Sequence, residues 1–502
     1  MDLLANVALG ASVAITPANL ALCLLGCLLG TLIGILPGLG PIATISLLLP
    51  VTYSMEPVSA LIMLAGIYYG AQYGGSTTAI LVNLPGEASS VVTALDGYKL
   101  AQKGRAGEAL FVAAIGSFVA GCFGTLVIVL GGPPLADMAS RFASPEYFSL
   151  MVLGLFTAVV LANGSVVKAV AMVVLGLFLG LIGNDVNSGQ PRMTMGFPEL
   201  SDGVSFVSIA LGLFGIAEVA RNLEAGIQRG QLVSQITSLW PSRETLRAMT
   251  RPVTRGSVLG SILGVLPGGG VTVASFAAYA LEKRVAREPS RFGNGAIEGV
   301  AAPESANNAA AQTSFIPLLT LGIPSSAVMA VMVGAMTMHG IVPSPTVIEK
   351  QPALFWGLIV SMFVGNVMLV FINLPMIGMW VRFLRVPYRI LFQIILVVSA
   401  IGVYSVNNTT FEIYVTAAFG VLGYLFYKFD CEPAPLLLGF VIGPLMEENF
   451  RRALILSGGD PTVFFTRPIS LALILIGVAL LAAVALPAVR KKRDEAFQDD
   501  AS

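Results

Sequence analysis

The sequence predicts an all-α polytopic membrane protein made of two inverted repeats with broken or re-entrant helices, and three observations lead to this fold class. The 502-residue chain is 56% hydrophobic and only 11% charged, whereas a soluble domain carries about a quarter charged residues. Apolar runs such as 148–160, 169–182, 354–374 and 469–486 approach the ~20 residues that span a bilayer. Finally, one Pro-Gly phrase occurs twice. We expect roughly ten to twelve membrane segments.

The repeated phrase reads Gly-Ile-Leu-Pro-Gly-Leu-Gly at 34–40 and Gly-Val-Leu-Pro-Gly-Gly-Gly at 264–270. A helix break inside an apolar segment frees backbone groups that hydrocarbon cannot satisfy, so it survives only where protein or a cavity surrounds it. Paired breaks in corresponding halves of a chain indicate the binding site of a transporter. Further Pro-containing breaks follow at 83–86 and 322–324. The predicted hinges are Pro37, Gly38, Pro85, Gly86, Pro267, Gly268 and Pro324.

Charge divides the chain into a first repeat (1–220), a basic cytoplasmic connector (221–255), a second repeat (256–489) and a polar C-terminal tail (490–502). After the first break, loop 52–57 has no Lys or Arg, whereas the equivalent loop of the second half, 283–291, is basic. At the next loop of each half the bias is reversed: 99–105 is basic, whereas 337–352 holds only Lys350. Such a swapped bias predicts inverted repeats, with 99–105 and 283–291 in the cytoplasm. Strict symmetry would put the basic run 490–493 outside, so the side of the C-terminus stays open.

Each half carries a polar segment after its first break. In the first half, Gly and hydroxyl residues at 74–78 expose backbone amides and donors that suit a carboxylate; the alternative is close helix packing, which we favour for Gly66 and Gly70. In the second half, amides at 307 and 308 can bind a carboxylate or coordinate Na⁺, or join helices. The substrate-binding candidates are Gly74, Gly75, Ser76, Thr77, Thr78, Asn83, Ser305, Asn307, Asn308 and Ser325.

Glu304 is the candidate ion-coupling residue. From Phe292 to Thr346 the ionisable side chains are Glu298, Glu304 and His339. The segment holds no Lys or Arg. A carboxylate inside a membrane segment is costly, which makes it a functional hypothesis by default. Glu304 would hold a cation or a proton, or it would pair structurally with a donor from another segment.

Enzyme chemistry finds little support in the residues. The formal net charge is zero and the chain has a single histidine, so no histidine pair can bind zinc, and neither a HExxH nor a Walker A phrase is present. The four cysteines lack metal-binding spacing and are expected to pack. We predict no catalytic residues, no metal site and no cofactor; the coupling ion is Na⁺ or H⁺.

At these motifs the chain closely resembles the large membrane subunit of the tripartite tricarboxylate transporters (TctA-type). The resemblance spans about residues 25–345. The matching phrases lie at 34–40, 65–70, 74–78, 83–87, 104–109, 191–192, 197–200, 303–308 and 321–324. One departure is Ser325, because the family usually reads Gly-Ile-Pro-Gly-Ser where this chain reads Gly-Ile-Pro-Ser-Ser.

The resemblance implies a permease subunit in a bacterial inner membrane that works with a periplasmic solute-binding protein and a small four-helix membrane subunit. It implies ion-driven uptake of tricarboxylates or related organic acid anions. The extra side chain at Ser325 leaves the particular acid open. A carboxylate-permeable channel and a membrane-embedded enzyme are the alternatives; saturable uptake that requires a binding protein would exclude the channel.

Overall fold

The computed structural model is a helical bundle with a single small pair of strands in the part of the chain that it describes. The described residues are 3–36, 40–84, 86–139, 141–162, 165–185, 188–225, 239–266, 270–344, 347–383 and 388–485. The strands β1 (Gly183–Asn184) and β2 (Pro191–Arg192) are antiparallel.

Helices of the N-terminal part are α1 (Leu3–Ala14), α2 (Pro17–Ile35), α3 (Pro41–Thr52), α4 (Pro57–Val82), α5 (Val91–Gln102), α6 (Ala106–Ala139), α7 (Ser144–Leu161), α8 (Val166–Gly180), α9 (Phe206–Ala210) and α10 (Ala217–Ala225). A π-helical stretch, Leu211–Ile216, joins α9 to α10, and 3₁₀ turns occupy Ala88–Ser90 and Pro198–Leu200.

Helices of the C-terminal part are α11 (Arg243–Val265), α12 (Gly270–Val285), α13 (Glu298–Thr313), α14 (Phe315–Leu321), α15 (Ala327–Met338), α16 (Val347–Lys350), α17 (Pro352–Asn373), α18 (Ile377–Phe383), α19 (Tyr388–Asn407), α20 (Phe411–Lys428), α21 (Ala434–Leu456), α22 (Val463–Thr466) and α23 (Pro468–Ala485). A 3₁₀ turn occupies Pro289–Arg291.

Several of these helices are long and apolar enough to cross a bilayer. By length and composition, four described segments qualify: Pro17–Ile35, Ala106–Met138, Phe206–Glu224 and Pro352–Asn373. Seven further apolar helices are shorter, among them α3, α8 and α15. Short apolar helices beside full-length ones are what re-entrant segments require. The all-α polytopic membrane fold predicted from composition is confirmed.

Glycines bring α2 and α4 into close contact. A Cβ added to Gly26, Gly30 or Gly34 would lie only 2.2 to 2.4 Å from a backbone carbonyl oxygen of α4. The facing residues advance with the glycines, from Met63 at Gly26 to Ala71 at Gly34, so the two helices run parallel. Because no larger residue fits, these glycines let the two backbones touch.

The same crossing recurs between α11 and α13, with glycines 230 residues after those of α2 and facing residues 239 residues after those of α4. Gly256, Gly260 and Gly264 face the carbonyl oxygens of Ala302, Ala306 and Ala310, and their added Cβ atoms would lie 2.3 to 2.5 Å away. The spacing of 230 is also that of the two Pro-Gly phrases. Helix pairs α2–α4 and α11–α13 are therefore built alike, down to the residues that face each other.

A re-entrant hairpin follows from these directions. Helix α3 has 12 residues and is about 18 Å long, too short for the ~30 Å of hydrocarbon. Helix α3 ends where α4 begins. Because α2 runs parallel to α4, it also begins beside the start of α4. The pair α2–α3 thus enters and leaves at one end of the bundle. Helices α11 and α12 repeat this arrangement beside α13.

The two hairpins enter the helical bundle from opposite ends, as the directions of α6 and α17 show. Helix α6 runs parallel to α13, because Gly116 lies against Ser305 and Gly124 against Gln312. Helix α17 runs parallel to α2, where Cys23 and Cys27 contact the carbonyl oxygens of Ser361 and Gly365, so both cysteines pack as predicted.

Helices α6 and α17 run antiparallel to each other. Gly132 of α6 lies against Phe355 near the start of α17, whereas Gly121 lies against Asn366 further along it. Corresponding halves therefore point in opposite directions, as inverted repeats do.

An outer layer of helices fixes the direction of the last one. Helix α23 runs parallel to α7: Arg467 Nε donates to Glu146 Oε1 over 2.5 Å, and Ser470 and Ser149 hydrogen-bond over 2.7 Å. Since α7 starts where α6 ends, α23 starts on that side as well.

The division of the chain at 220, 255 and 489 stays a prediction. Helix α10 ends at Ala225 and α11 already begins at Arg243, so the last part of the proposed connector is helical. Residues 226–238 and the tail 490–502 lie outside the described residues.

Candidate functional site

Two breaks of the same form interrupt the central helices. Asn83 caps the C-terminus of α4 and Gly322 caps that of α14, and both residues adopt the left-handed conformation (φ 56° and 70°). They are 239 residues apart, as are Pro85 and Pro324. Of the predicted hinges, Gly86 and Pro324 are described, while Pro37, Gly38, Pro85, Pro267 and Gly268 lie outside the described residues.

Gly86 holds the first break against the tip of the first hairpin. A Cβ at this position would lie 2.4 Å from the Gly34 carbonyl oxygen and 2.5 Å from Gly75 Cα. Contacts under 3 Å with backbone leave no room for any side chain. The glycines at 34, 75 and 86 therefore allow α2, α4 and the break to meet in one place.

Glu304 lies where the two halves meet. This residue of α13 is 1% exposed, and it accepts hydrogen bonds from two residues of the first half. Ser76 Oγ of α4 donates to Oε2 over 2.6 Å, and Thr93 Oγ1 of α5 donates to Oε1. Both carboxylate oxygens are thus bound by neutral hydroxyls, and no ion pair involving Glu304 occurs within the described ranges.

A pocket opens beside this carboxylate between α4, α6, α13 and α17. Its polar lining is made of Tyr73, Ser76, Thr77, Ser117, Glu304 and Asn373. Leu110, Ala113 and Ala114 of α6 complete it.

Two of the polar groups in this pocket are buried without a hydrogen-bond partner in the described structure. These are the Tyr73 hydroxyl and Asn373 Oδ1, although Asn373 Nδ2 donates to Leu369 O over 2.9 Å. A buried polar group without a hydrogen-bond partner is costly. The site therefore favours an occupant that supplies the missing partner, such as a cation or water.

A second carboxylate contacts α13 one helical turn after Glu304. Glu87, just after the first break, accepts from Asn307 Nδ2 over 3.2 Å, while Asn307 Oδ1 is buried without a partner among the described residues. Asn308 Nδ2 donates to Ser117 Oγ over 2.7 Å and to the Glu304 carbonyl oxygen over 3.1 Å.

A third buried carboxylate, Asp96 of α5, has a structural role. Its Oδ1 accepts from the N–H groups of Gly295 and Ala296 over 2.7 and 2.8 Å, and its Oδ2 accepts from the Tyr279 hydroxyl over 3.0 Å. These N–H groups precede α13, where a negative charge is favourable. Asp96 of the first half therefore anchors the helix that carries Glu304.

The substrate candidates of the first half divide between packing and the pocket. Gly74 packs on α2, where its added Cβ would lie 2.4 Å from Thr31 O, and Gly75 faces Gly86 and Glu87. Ser76 and Thr77 line the pocket, whereas Thr78 donates to Gly75 O over 2.9 Å. Gly66 and Gly70 contact α2 in the same way as Gly74, which confirms their packing role.

The remaining candidates do not converge on the pocket. Ser305 donates to Ala301 O over 2.7 Å and faces Gly116. Asn83 is exposed. Ser325 is buried at the second break, and its hydroxyl has no partner in the described part of the chain.

Four residues of the site were not predicted from the sequence: Tyr73, Ser117 and Asn373, which line the pocket, and Thr93, which donates to Glu304. Thr93 and Ser117 are isolated hydroxyls in otherwise ordinary helices and gave no distinct signal. Asn373 ends an apolar helix of 22 residues, and an amide in such a segment would have been a detectable sign, because polar groups in membrane helices are rare.

The chemistry of this pocket favours a small hard cation or a proton. The lining offers a carboxylate, an amide oxygen and several hydroxyls, which are ligands of hard cations, and none of the residues lining it is basic. No group of three or more His, Cys, Asp or Glu side chains able to hold a metal ion occurs among the described residues.

Comparisons with known proteins agree with the motifs. The model of the Tripartite tricarboxylate transporter TctA family matches residues 20–438. Over 500 residues, covering all of both chains, the sequence is 58% identical to an "Uncharacterized 52.8 kDa protein in TAR-I ttuC' 3'region" of Agrobacterium vitis. A second relative there, an "Uncharacterized protein in TAR-II ttuC' 3'region", is 58% identical over 236 residues, 47% of this chain and 98% of that protein. No solved structure matches. The chain therefore belongs to the tripartite tricarboxylate transporter TctA family, as a multi-pass membrane transporter subunit.

Proposed function

We propose that the chain is the large permease subunit of a secondary transporter that imports organic acid anions, tricarboxylates or related acids, into the cytoplasm and is driven by an ion gradient. Family membership supports the transport of tricarboxylates. The opposed hairpins support alternating access, because inverted halves can exchange their roles about a site between them.

The observation that carries the ion coupling is the state of Glu304. It is buried, its oxygens are held by hydroxyls of the other half, and the pocket beside it is lined by oxygen ligands. A coupling ion bound there, Na⁺ or H⁺, would neutralise a charge that has no basic partner on the pocket wall. Since Glu304 belongs to α13 and its donors to α4 and α5, occupancy would also hold the two halves together.

The substrate itself is proposed to bind beside this ion. Ser76 and Thr77 line the pocket with hydroxyls that can donate to a carboxylate, and Asn307 Oδ1, next to the first break and unpaired within the described structure, can accept from a substrate hydroxyl. The glycines at 74 and 75 contribute by close packing, which places the hydroxyls of the same segment. We retain the predicted substrate role for Asn83, Ser305, Asn308 and Ser325 as part of the proposal.

The partners follow from the family. A periplasmic solute-binding protein would deliver the anion, a small four-helix membrane subunit would complete the complex, and the location would be the bacterial inner membrane. The transporter family supports a non-enzymatic role. We expect little transport by this subunit alone, because no described segment forms a large domain outside the bundle that could capture a scarce solute.

Reconstitution tests these statements together. Proteoliposomes holding the complete complex should take up labelled citrate, malate or succinate only when binding protein is present and only under an imposed Na⁺ or H⁺ gradient. Imposing the two gradients separately identifies the ion. Strong uptake by vesicles that hold this subunit alone would contradict dependence on partners, and uptake that ignores both gradients would contradict ion coupling.

A further inference from the structure

The two breaks correspond residue by residue, and they differ in charge. With the spacing of 239 that relates Asn83 to Gly322, Gly86 corresponds to Ser325 and Glu87 to Ser326. Glu87 precedes the turn Ala88–Ser90 as its N-cap, and Ser326 is the N-cap of α15. The first break thus carries its own carboxylate at the start of the following helical segment, while the second carries only hydroxyls.

The start of α15 offers donors that nothing in the helix accepts. The helix has 12 residues, and Ser326 Oγ accepts from the Met329 N–H over 3.3 Å. The Ala330 N–H is bonded to Ser326 O. This leaves the N–H groups of Ala327 and Val328 without an acceptor inside the helix, at the end where a helix favours negative charge.

Ser325 adds an independent sign of a ligand at the same place. It is 1% exposed, and its hydroxyl has no partner among the described residues. A buried hydroxyl that is left unpaired costs free energy, and at this position it lies one residue before the N-cap. At the corresponding position of the first half, Gly86 has no side chain, and an added Cβ there would meet Gly34 and Gly75.

We propose that the start of α15, together with the Ser325 hydroxyl, binds a carboxylate group of the transported anion. The inference rests on the proposed function and names a subsite of it. The two breaks then have different roles: Glu87 places a carboxyl group at the first break, where it accepts from Asn307, whereas the second break offers hydroxyl and N–H donors to the anion. Ser325 adds a donor at a position where the first break has glycine, and we expect this donor to influence the selectivity among acids.

Removal of the hydroxyl is the first test. In the complete complex, Ser325→Gly and Ser325→Ala should raise the KM for uptake of the preferred acid in a panel of citrate, malate and succinate by roughly tenfold, the loss of one hydrogen bond to a charged group. The order of preference within the panel should also change. An unchanged KM and an unchanged order in both variants would overturn the role of Ser325.

A fixed charge at the same helix start is the second test. Ser326→Asp keeps an N-cap residue that helices favour, and it would place a carboxylate where the substrate's is proposed to bind. Uptake should fall at least about tenfold. The matched control is Ser242→Asp, which adds the same charge at the N-cap of α11, far from the breaks in sequence, and should leave uptake unchanged.

Amounts of folded protein, measured by gel filtration in detergent, separate lost binding from lost structure. Normal uptake by folded Ser326→Asp would overturn the proposal. Failure of this subsite also remains distinct from failure of the proposed function: in the former case the ion dependence and the requirement for binding protein persist in every serine variant, and in the latter they are absent from the unmodified complex.

Discussion

Glu304→Gln offers the most direct test of ion coupling, because it removes a charge and almost no volume. In the structure the carboxylate accepts one hydrogen bond from Ser76, over 2.6 Å, and one from Thr93. A glutamine keeps one acceptor oxygen, and the hydroxyl that faces its NH₂ group can turn to accept. Both hydrogen bonds can then persist as neutral ones, so the cost is the lost charge assistance, about 1.5–3 kcal/mol in the free energy of unfolding.

A structural ion pair would behave differently. Removing one partner of a buried pair costs about 3–5 kcal/mol, but Glu304 contacts hydroxyls rather than a basic side chain. We therefore expect Glu304→Gln to accumulate in the membrane at nearly normal levels, with a modest drop in thermal stability. Uptake should fall at least about tenfold, equivalent to about 1.4 kcal/mol of lost ion binding, and the remainder should no longer respond to the ion gradient.

The assay compares uptake by the complete complex in proteoliposomes with thermal stability in detergent. Glu298→Gln is the matched control: the same substitution in the same helix, where Glu298 pairs at 3.6 Å with Arg291, a half-exposed side chain. Such pairs contribute about 0–1 kcal/mol, so this variant should transport normally. Normal uptake with an unchanged ion response in Glu304→Gln would refute the coupling role.

Three further predictions concern topology and packing. Single cysteines at Lys103 and Arg287 in a Cys-free chain should resist an impermeant thiol reagent in intact cells, and labelling of either from the periplasm would refute the inverted scheme. We expect the 18 residues of α23 to cross from the side where α6 ends, so a cysteine at Asp500 should react only after permeabilisation; its labelling in intact cells would place the tail outside. Gly260→Ala should destabilise the protein by about 1–3 kcal/mol, since its Cβ would lie 2.3 Å from Ala306 O, whereas Gly131→Ala in α6, with nothing within 4 Å, should melt normally.

Much of the fold was accessible from the sequence because membrane proteins obey few and strong constraints. Composition and apolar runs predicted the all-α polytopic class, since hydrocarbon forces every backbone group into internal hydrogen bonds. The repeated Pro-Gly phrase predicted paired breaks, and the structure adds that three packing glycines, four residues apart and leading up to each phrase, repeat with the same spacing of 230. The motif at 303–308 pointed to Glu304, a carboxylate too costly to occur in a membrane segment by accident.

The partners of Glu304 were decided by the tertiary structure. Ser76 and Thr93 lie 228 and 211 residues away along the chain, and no local pattern marks a hydroxyl that will donate across the interface of two repeats. The contacts of the glycines at 74 and 75 could not be predicted from the sequence either. Glycine suits both close helix contact and ligand approach, and only the position of α2 assigned Gly74 to packing. Likewise, basic residues indicated the orientation of several loops, but the side on which the last helix begins followed from its contacts with α7. Chemistry confined to one segment can be inferred from its residues, whereas a site shared by two halves exists only once their helices have packed.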